Sequence, residues 1–256
     1  MRNIRLLMEY DGARYDGWQR LGKKSGQTTI QGKLEEVLSR MTGENVEVIG
    51  SGRTDAGVHA MGQVANFHTE CGMDCHKIRE YMERYLPEDI GILSVEEAPQ
   101  RFHSRLNAIG KKYLYRVYVG ERAGVFCRKY VHCIRRMPDL DNMRAAASSL
   151  VGRHDFIAFS SVRRTKKSTE RELYSIEILP SEKEIHMIFD GNGFLHHMVR
   201  IMAGTLLEVG LGEKKPEDMV KILDSKNRQC AGVMAPAKGL FLMEVRYSGG
   251  QEKIRS

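Results

Sequence analysis

The sequence predicts an α+β fold built from two similar halves, and three patterns predict it. Short stretches at residues 4–10 and 113–119 alternate apolar and polar side chains, the two-residue period of a half-buried strand. Longer stretches repeat apolar residues every three or four positions. Ile30, Leu34, Val37, Leu38 and Met41 do so in the first half, and Leu195, Met198, Met202, Leu206 and Val209 in the second. The elements also follow one another twice in the order strand, helix, strand, strand, helix, strand, the split pattern called ferredoxin-like. No residue-level repeat accompanies this order, so the likeness of the halves is one of architecture alone. Two such halves are expected to join into one mainly antiparallel sheet, with helices on one face and a basic cleft on the other. The expected boundaries are residues 1–105 and 106–248, with 249–256 as a disordered tail.

Taken in order, residues 4–10 form a strand that ends in the Asp11-Gly12 turn. Thr28-Thr29-Ile30-Gln31 resembles a capping box, in which Gln31 would reach back to the cap residue three positions earlier. The helix that follows stops at Gly43. Val46 and Val48 alternate as a short strand entering a Gly-rich stretch, and residues 64–67 form a strand beyond it. Asp74 caps a helix carrying Ile78, Met82 and Tyr85, which stops before Pro87, and residues 90–95 are the next strand. In the second half, residues 113–119 are a strand and 139–151 a helix with Leu140, Met143, Ala147 and Leu150 on one face. Residues 173–179 and 185–189 pair as a hairpin, 194–209 form a long helix, a short helix starts near Pro216, and 240–245 are the last strand.

The totals narrow the function. The chain has 256 residues, 41% hydrophobic and 29% charged, the balance of a soluble globular protein. No apolar run spans a bilayer, and the apolar start at residues 4–8 is too short for a secretory leader, so a cytoplasmic location without a membrane partner is expected. Five cysteines, an odd number, argue against a disulfide framework. Cys71 and Cys75, near His68 and His76, lack a second ligand pair at zinc-like spacing, so no metal is expected.

Forty Lys and Arg against 33 Asp and Glu leave a formal charge of +7, which suits a polyanionic partner and equally a merely soluble basic surface. The placement of the cations says more. Residues 163–171 hold five cations and one anion without apolar periodicity, the pattern of an exposed loop. Arg101, Arg105, Lys111, Lys112 and Arg116 are interleaved with Phe102, Tyr113, Tyr115 and Tyr118. Cations that hold phosphates beside aromatics that stack on bases fit RNA better than a small acidic ligand.

Three places could carry chemistry. Residues 50–57 contain three glycines in eight positions and place Asp55 two residues after Arg53. Glycine lets a backbone turn tightly and a ligand approach closely. No Gly-Lys-Ser/Thr follows, which argues against a nucleotide-triphosphate loop. On local grounds Asp55 is equally a turn carboxylate that bonds its own backbone. Arg200 lies among apolar residues on the long second-half helix. It either reaches solvent by its stem or is buried and requires an anion, for which Asp55 is a candidate. His196 and His197, four and three positions earlier, would lie near it on the same helix. Tyr113 shares a strand face with Tyr115 and is either a stacking residue for a base or a cross-strand packing aromatic.

Together these residues resemble a known family. Residues 51–60, Ser-Gly-Arg-Thr-Asp-Ala-Gly-Val-His-Ala, followed by Gly62-Gln63-Val64, are similar to the signature of TruA-type tRNA pseudouridine synthases. Thr29-Ile30-Gln31-Gly32, Phe102-His103-Ser104-Arg105 with residues 111–115, residues 192–200, and residues 231–237 with 239–242 agree in order. The resemblance covers residues 4–247. It implies a homodimer without cofactor that isomerises uridine at positions 38–40 of the tRNA anticodon stem-loop. It implies that Asp55 is the catalytic aspartate, that Tyr113 contacts the uracil, that Arg200 pairs with the aspartate, and that Arg53 helps extrude the base. One departure is Glu83, near a place where the family usually has Asn before the Leu-Pro pair. The alternatives are a non-catalytic RNA-binding module, a phosphate-handling enzyme, and a synthase for another RNA or position.

Overall fold

The computed structural model describes residues 1–20, 28–162 and 168–248. The chain is α+β and divides into two compact units. One holds Met1–Ile109 and the chain from Leu242 onward, and the other holds Gly110–Phe241.

The first unit contains β1 (Arg2–Tyr10), α1 (Ile30–Thr42), β2 (Ile49–Gly50), β3 (His59–Thr69), α2 (Cys75–Tyr85) and β4 (Ile90–Ala98). Strand β1 lies between β4 and β3, antiparallel to both, and β2 pairs with the outer side of β3. Ile4, Leu6 and Met8 of β1 are wholly buried with Leu34 and Leu38 of α1, Val64 and Phe67 of β3, and Ile78 and Met82 of α2. Each such side chain stabilises the fold by roughly 1.5–3 kcal/mol relative to exposure. Strand β3 is longer than its apolar run suggested because nearly every residue on both its faces is buried. A strand covered on both faces loses the alternation that marks a half-exposed one.

The expected capping box does not form at Thr28. Thr29 is the cap, its hydroxyl accepting from Gly32 N at 3.2 Å, and Gly43 ends the helix at φ 74°. The Gln31 side chain instead donates to Val48 O at 3.0 Å and accepts from Arg20 N at 3.0 Å, tying the helix start to flanking chain. Asp74 caps α2 as expected, accepting from Lys77 N at 2.9 Å.

The second unit contains β5 (Ala108–Val119, entered from the first), β6 (His132–Ile134), α3 (Leu140–Ser148), β7 (Gly152–Asp155), β8 (Glu170–Ser181), β9 (Glu184–Gly191), α4 (Met198–Gly210) and α5 (Asp218–Ser225). The strand order is β5-β9-β8-β7, antiparallel throughout, with β6 parallel to β5. The β8–β9 hairpin matches expectation. Strands β6 and β7 are too short to show a period. Of the basic stretch read as a loop, residues 163–167 lie outside the described residues, while Glu170 and Arg171 already belong to β8. The last strand, β10 (Leu240–Tyr247), follows β3 in the first unit's sheet.

Helix α4 starts at Met198, four residues later than its apolar pattern suggested. His197 has a left-handed backbone, φ 64°, which cannot continue into a helix from residue 194. His196 and His197 therefore precede the helix rather than lie on it with Arg200. Twelve of the 13 residues of α4 are buried, Arg200 among them. Residues 231–235 run along the helix and are bonded to it at successive turns. Arg200 O accepts from Ala235 N at 3.0 Å, Thr205 Oγ1 from Gly232 N at 2.9 Å, and Glu208 Oε1 from Val233 N at 2.7 Å. The approach is closest at Gly204, where a Cβ would fall 1.9 Å from Val233 O.

That contact reverses the usual effect of a helical Gly→Ala change, which stabilises by about 1 kcal/mol when nothing clashes. Overpacking of this kind costs about 1–3 kcal/mol. Gly204→Ala is expected to lower the urea midpoint; a raised midpoint would contradict the close packing of residues 231–235.

Candidate active site

Asp55 sits half-exposed on the connection between β2 and β3. Three kinds of contact, all within the first unit, hold this connection. The backbone is clamped from below: Trp18 N donates to Thr54 O at 3.0 Å, Val58 N to Asp55 O at 3.1 Å, and Ser51 N to Val64 O at 2.7 Å. Gly17, at φ 93°, lies against the clamp, and a Cβ there would meet Thr54 O at 2.6 Å. Only glycine supplies both that backbone and that clearance.

The second contact is a buried chain of polar side chains. Gln63 on β3 has no exposed surface. Its Nε2 donates to Gly52 O at 3.1 Å and to the Tyr10 hydroxyl at 3.4 Å, and its Oε1 accepts from Ser51 Oγ at 2.7 Å. The Tyr10 hydroxyl, accepting from Gln63, has its own proton for Thr54 Oγ1 at 2.8 Å. Burial pushes the Tyr10 phenol up to about 12, against the opposing pull of its bonds to Thr54 and Gln63. The third contact is at the far end of the loop, where buried His59 Nδ1 lies 3.1 Å from Gly12 N and 3.0 Å from Asp11 Oδ1. The result is a half-exposed Asp55 on a backbone fixed on both sides. Arg53, two residues earlier, is exposed.

In the second unit, Tyr113 on β5 is 7% exposed and meets the Phe194 ring edge-on at 5.1 Å and 81°. Tyr115 shares its face, as the strand period requires, but is fully buried. Its hydroxyl donates to Pro236 O at 2.9 Å, and burial drives its pKa far above the usual tyrosine range, eased by the nearby Arg200 charge. Tyr115 therefore serves packing. Arg200 is 9% exposed, so it does not reach out along its stem to solvent; its Nε donates to Ala235 O at 2.8 Å. His197 Nδ1 lies 2.8 Å from Ser161 Oγ, and the His196 and His197 rings stack at 3.6 Å.

The basic group read from residues 101–116 is not uniform. Arg101 and Arg105 are exposed, and Lys112 is 3.9 Å from Asp190. Arg116 is forked onto Glu184 at 2.9 and 2.8 Å, which assigns it to the sheet rather than to a phosphate. Sequence reasoning missed Tyr10, Gly17, Trp18 and the support that Thr205 and Glu208 give residues 231–235. Their partners lie between 25 and 53 residues away in the chain, beyond any local pattern.

Tyr10 carries a testable consequence. A phenol whose folded pKa is raised above its unfolded value stabilises the fold fully below pH 10, and that contribution is lost as pH rises through about 12. Tyr15 and Tyr115, also raised, act in the same direction. Tyr10→Phe is expected to lower stability near neutrality by about 1–2 kcal/mol, through the stranded Thr54 and Gln63 groups. It should also flatten the fall in stability above pH 10. An unchanged alkaline slope by urea titration at pH 9 to 11 would contradict the buried network.

Comparison with known proteins places the chain in a family. The model of the family described as tRNA pseudouridine synthase matches residues 6–107 and 146–248. The chain is 49% identical over 247 residues to tRNA pseudouridine synthase A of Bacillus sp. (strain KSM-64), covering 96% of this chain and 100% of that protein. It is 46% identical to tRNA pseudouridine synthase A 2 of Bacillus anthracis, with 96% and 100% covered. It is 44% identical to tRNA pseudouridine synthase A 2 of Clostridium tetani (strain Massachusetts / E88), with 96% and 99% covered. A solved Cbf5-Nop10-Gar1 complex overlaps it at a TM-score of 0.34 and 12% identity, covering 80% of this chain and 54% of that one, too slight a likeness to bear on fold or function. Matched along nearly its whole length, the chain belongs to the tRNA pseudouridine synthase family and is an isomerase.

Proposed function

We propose that the protein converts uridine to pseudouridine at positions 38–40 of the tRNA anticodon stem-loop, with Asp55 as the catalytic carboxylate. The observation that carries this reading is the 49% identity to a tRNA pseudouridine synthase A over 96% of the chain. The fixed backbone under a half-exposed Asp55 supports it. Under the same reading the protein acts in the cytoplasm as a homodimer and needs no cofactor or metal. The halves, residues 1–105 and 106–248, are ferredoxin-like; the β4-β1-β3-β2 order around two helices supports this for the first unit. Among the described residues, no helix is long and apolar enough to cross a membrane.

The reaction breaks the bond from ribose C1′ to uracil N1 and makes one from C1′ to C5. The target base leaves its stack first, and Arg53, exposed two residues before Asp55, helps extrude it. Asp55 then acts at the sugar or the ring, either as a nucleophile or as a base that starts elimination. By the resemblance, Arg200 takes the role of the basic partner of that carboxylate. Tyr113 lies against the detached uracil and assists loss of the C5 proton after the ring turns. The assignment of these residues to one reaction rests on the sequence resemblance.

Asp55→Asn keeps the shape and removes the charge. It is expected to lower release of tritium from C5-labelled uridine in tRNA by at least about 100-fold, while tRNA affinity persists. Normal turnover in that variant would sink the assignment, and absence of turnover in the wild type would leave only a binding role. Mapping pseudouridine in tRNA from a strain without the protein tests the position: uridine retained elsewhere, with 38–40 still modified, points to another site.

A further inference from the structure

We propose that the turn at residues 122–130 is a second RNA contact, in which the Phe126 ring stacks on an unpaired base and Arg122, Arg128 and Lys129 hold the flanking phosphates. This rests on the reading of an RNA substrate and adds a surface that the reaction does not use. Phe126 is 97% exposed and Val125 52% exposed, so nothing among the described residues covers the ring. An isolated surface hydrophobe is ordinary. This one differs in how it is held and in what surrounds it.

The turn is held at both ends and within. Ala123 and Val131 are buried, Cys127 N and Arg128 N both donate to Gly124 O at 3.2 and 2.9 Å, and Tyr130 N donates to Cys127 O at 2.8 Å. Lys238 Nζ donates to Arg128 O at 3.3 Å, and the Tyr130 ring packs 6.3 Å from that of Phe241. A ring presented on an ordered turn loses little freedom on stacking. Arg122, Arg128 and Lys129 lie within four residues of it in the chain, and all three are exposed. Within residues 121–131 of the sequence the only acidic residue is Glu121, which lies 3.6 Å from Arg135.

A second copy of the chain fits this surface less well. A twofold contact centred on this turn would bring the same cations of both copies together, which is repulsive. Two exposed apolar side chains also fall well short of the roughly 800 Å² per partner of a stable interface. An RNA supplies what the turn lacks, a flat π-face and negative charge, and aromatic stacking with cationic backbone contacts is the usual way of holding unpaired nucleotides.

The test uses the full-length protein and an unmodified tRNA transcript, with affinity by filter binding across a salt series and self-association by sedimentation velocity. Phe126→Ala should weaken binding about tenfold or more, and Phe126→Trp should retain it. Arg128→Gln with Lys129→Gln should reduce the slope of log affinity on log salt by about 0.7 for each phosphate left without its cation. Since these side chains reach solvent, thermal melting should not move. Wild-type affinity in Phe126→Ala, or an unchanged salt slope in the double variant, overturns the proposal. Loss of self-association in Phe126→Ala also overturns it, in favour of a second copy on this face. A wild type that binds the transcript without turnover would count against the proposed reaction and leave this contact standing.

Discussion

The Gln63 carboxamide is the constraint on which the first unit's functional geometry depends. It lies inside the protein, where an unmet donor or acceptor costs about 1–3 kcal/mol. Both of its N–H groups and its oxygen are used, on Gly52 O, the Tyr10 hydroxyl and Ser51 Oγ. Turning the amide over would set its oxygen against Gly52 O and lose both donors, so the chemistry fixes its orientation. The orientation in turn sets the direction of the Tyr10 hydroxyl toward Thr54. One side chain on a rigid strand thereby fixes the backbone before Asp55 at residues 51, 52 and 54. Glu, of nearly the same shape, could not replace it, because it has no N–H to give and would bury a charge.

The second unit solves the same problem with different parts. Residues 231–235 form no helix or strand, yet they cover α4 where Arg200 lies. Such a segment cannot bury its backbone unless each group finds a partner. Arg200, Thr205 and Glu208 supply them from successive turns of the helix. Arg200 thus has a structural task beside any catalytic one, since its side chain and its carbonyl both bond Ala235. A change at this position would disturb backbone and charge at once, which makes Asp55 the cleaner residue on which to rest a functional test.

What was legible in the sequence was what depends on neighbours in the chain. Helix α1 with its Gly43 stop, α2 with its Asp74 cap and the β8–β9 hairpin all follow from periods and turn residues within a dozen positions. The misses have physical reasons. Thr28 and Thr29 are equivalent caps by composition, and Gln31 chose Val48 O over the cap because β2 approaches there. The start of α4 depended on one left-handed residue, His197, in an apolar run that otherwise fits a helix. For the candidate site, three glycines marked the loop, but the residues that make it rigid come from other elements, Gln63 on β3 and, 44 positions from Thr54, Tyr10 on β1. Local chemistry left Asp55 no better than a turn carboxylate. Only the resemblance along the chain raised it above that, and the structure explains why such a loop could be a fixed one.

The charge follows the same division. A surplus of +7 says little until the cations are sorted by what they touch. Arg116 is forked onto Glu184, Arg14 reaches Asp89 at 2.9 Å, and Arg2 is bonded to Cys71 O and Met73 O. These guanidinium groups have donors committed to particular acceptors and serve the fold. Their attraction for a distant phosphate is largely cancelled where the acceptor is a carboxylate, because the pair presents a dipole rather than a charge. Arg53, Arg122 and Lys129 stand exposed, and their fields reach outward over about a Debye length, ~8 Å at physiological salt. Reading function from composition alone counts both kinds alike, which is why the interleaved basic and aromatic stretch at residues 101–116 promised more phosphate contacts than Arg116 can provide.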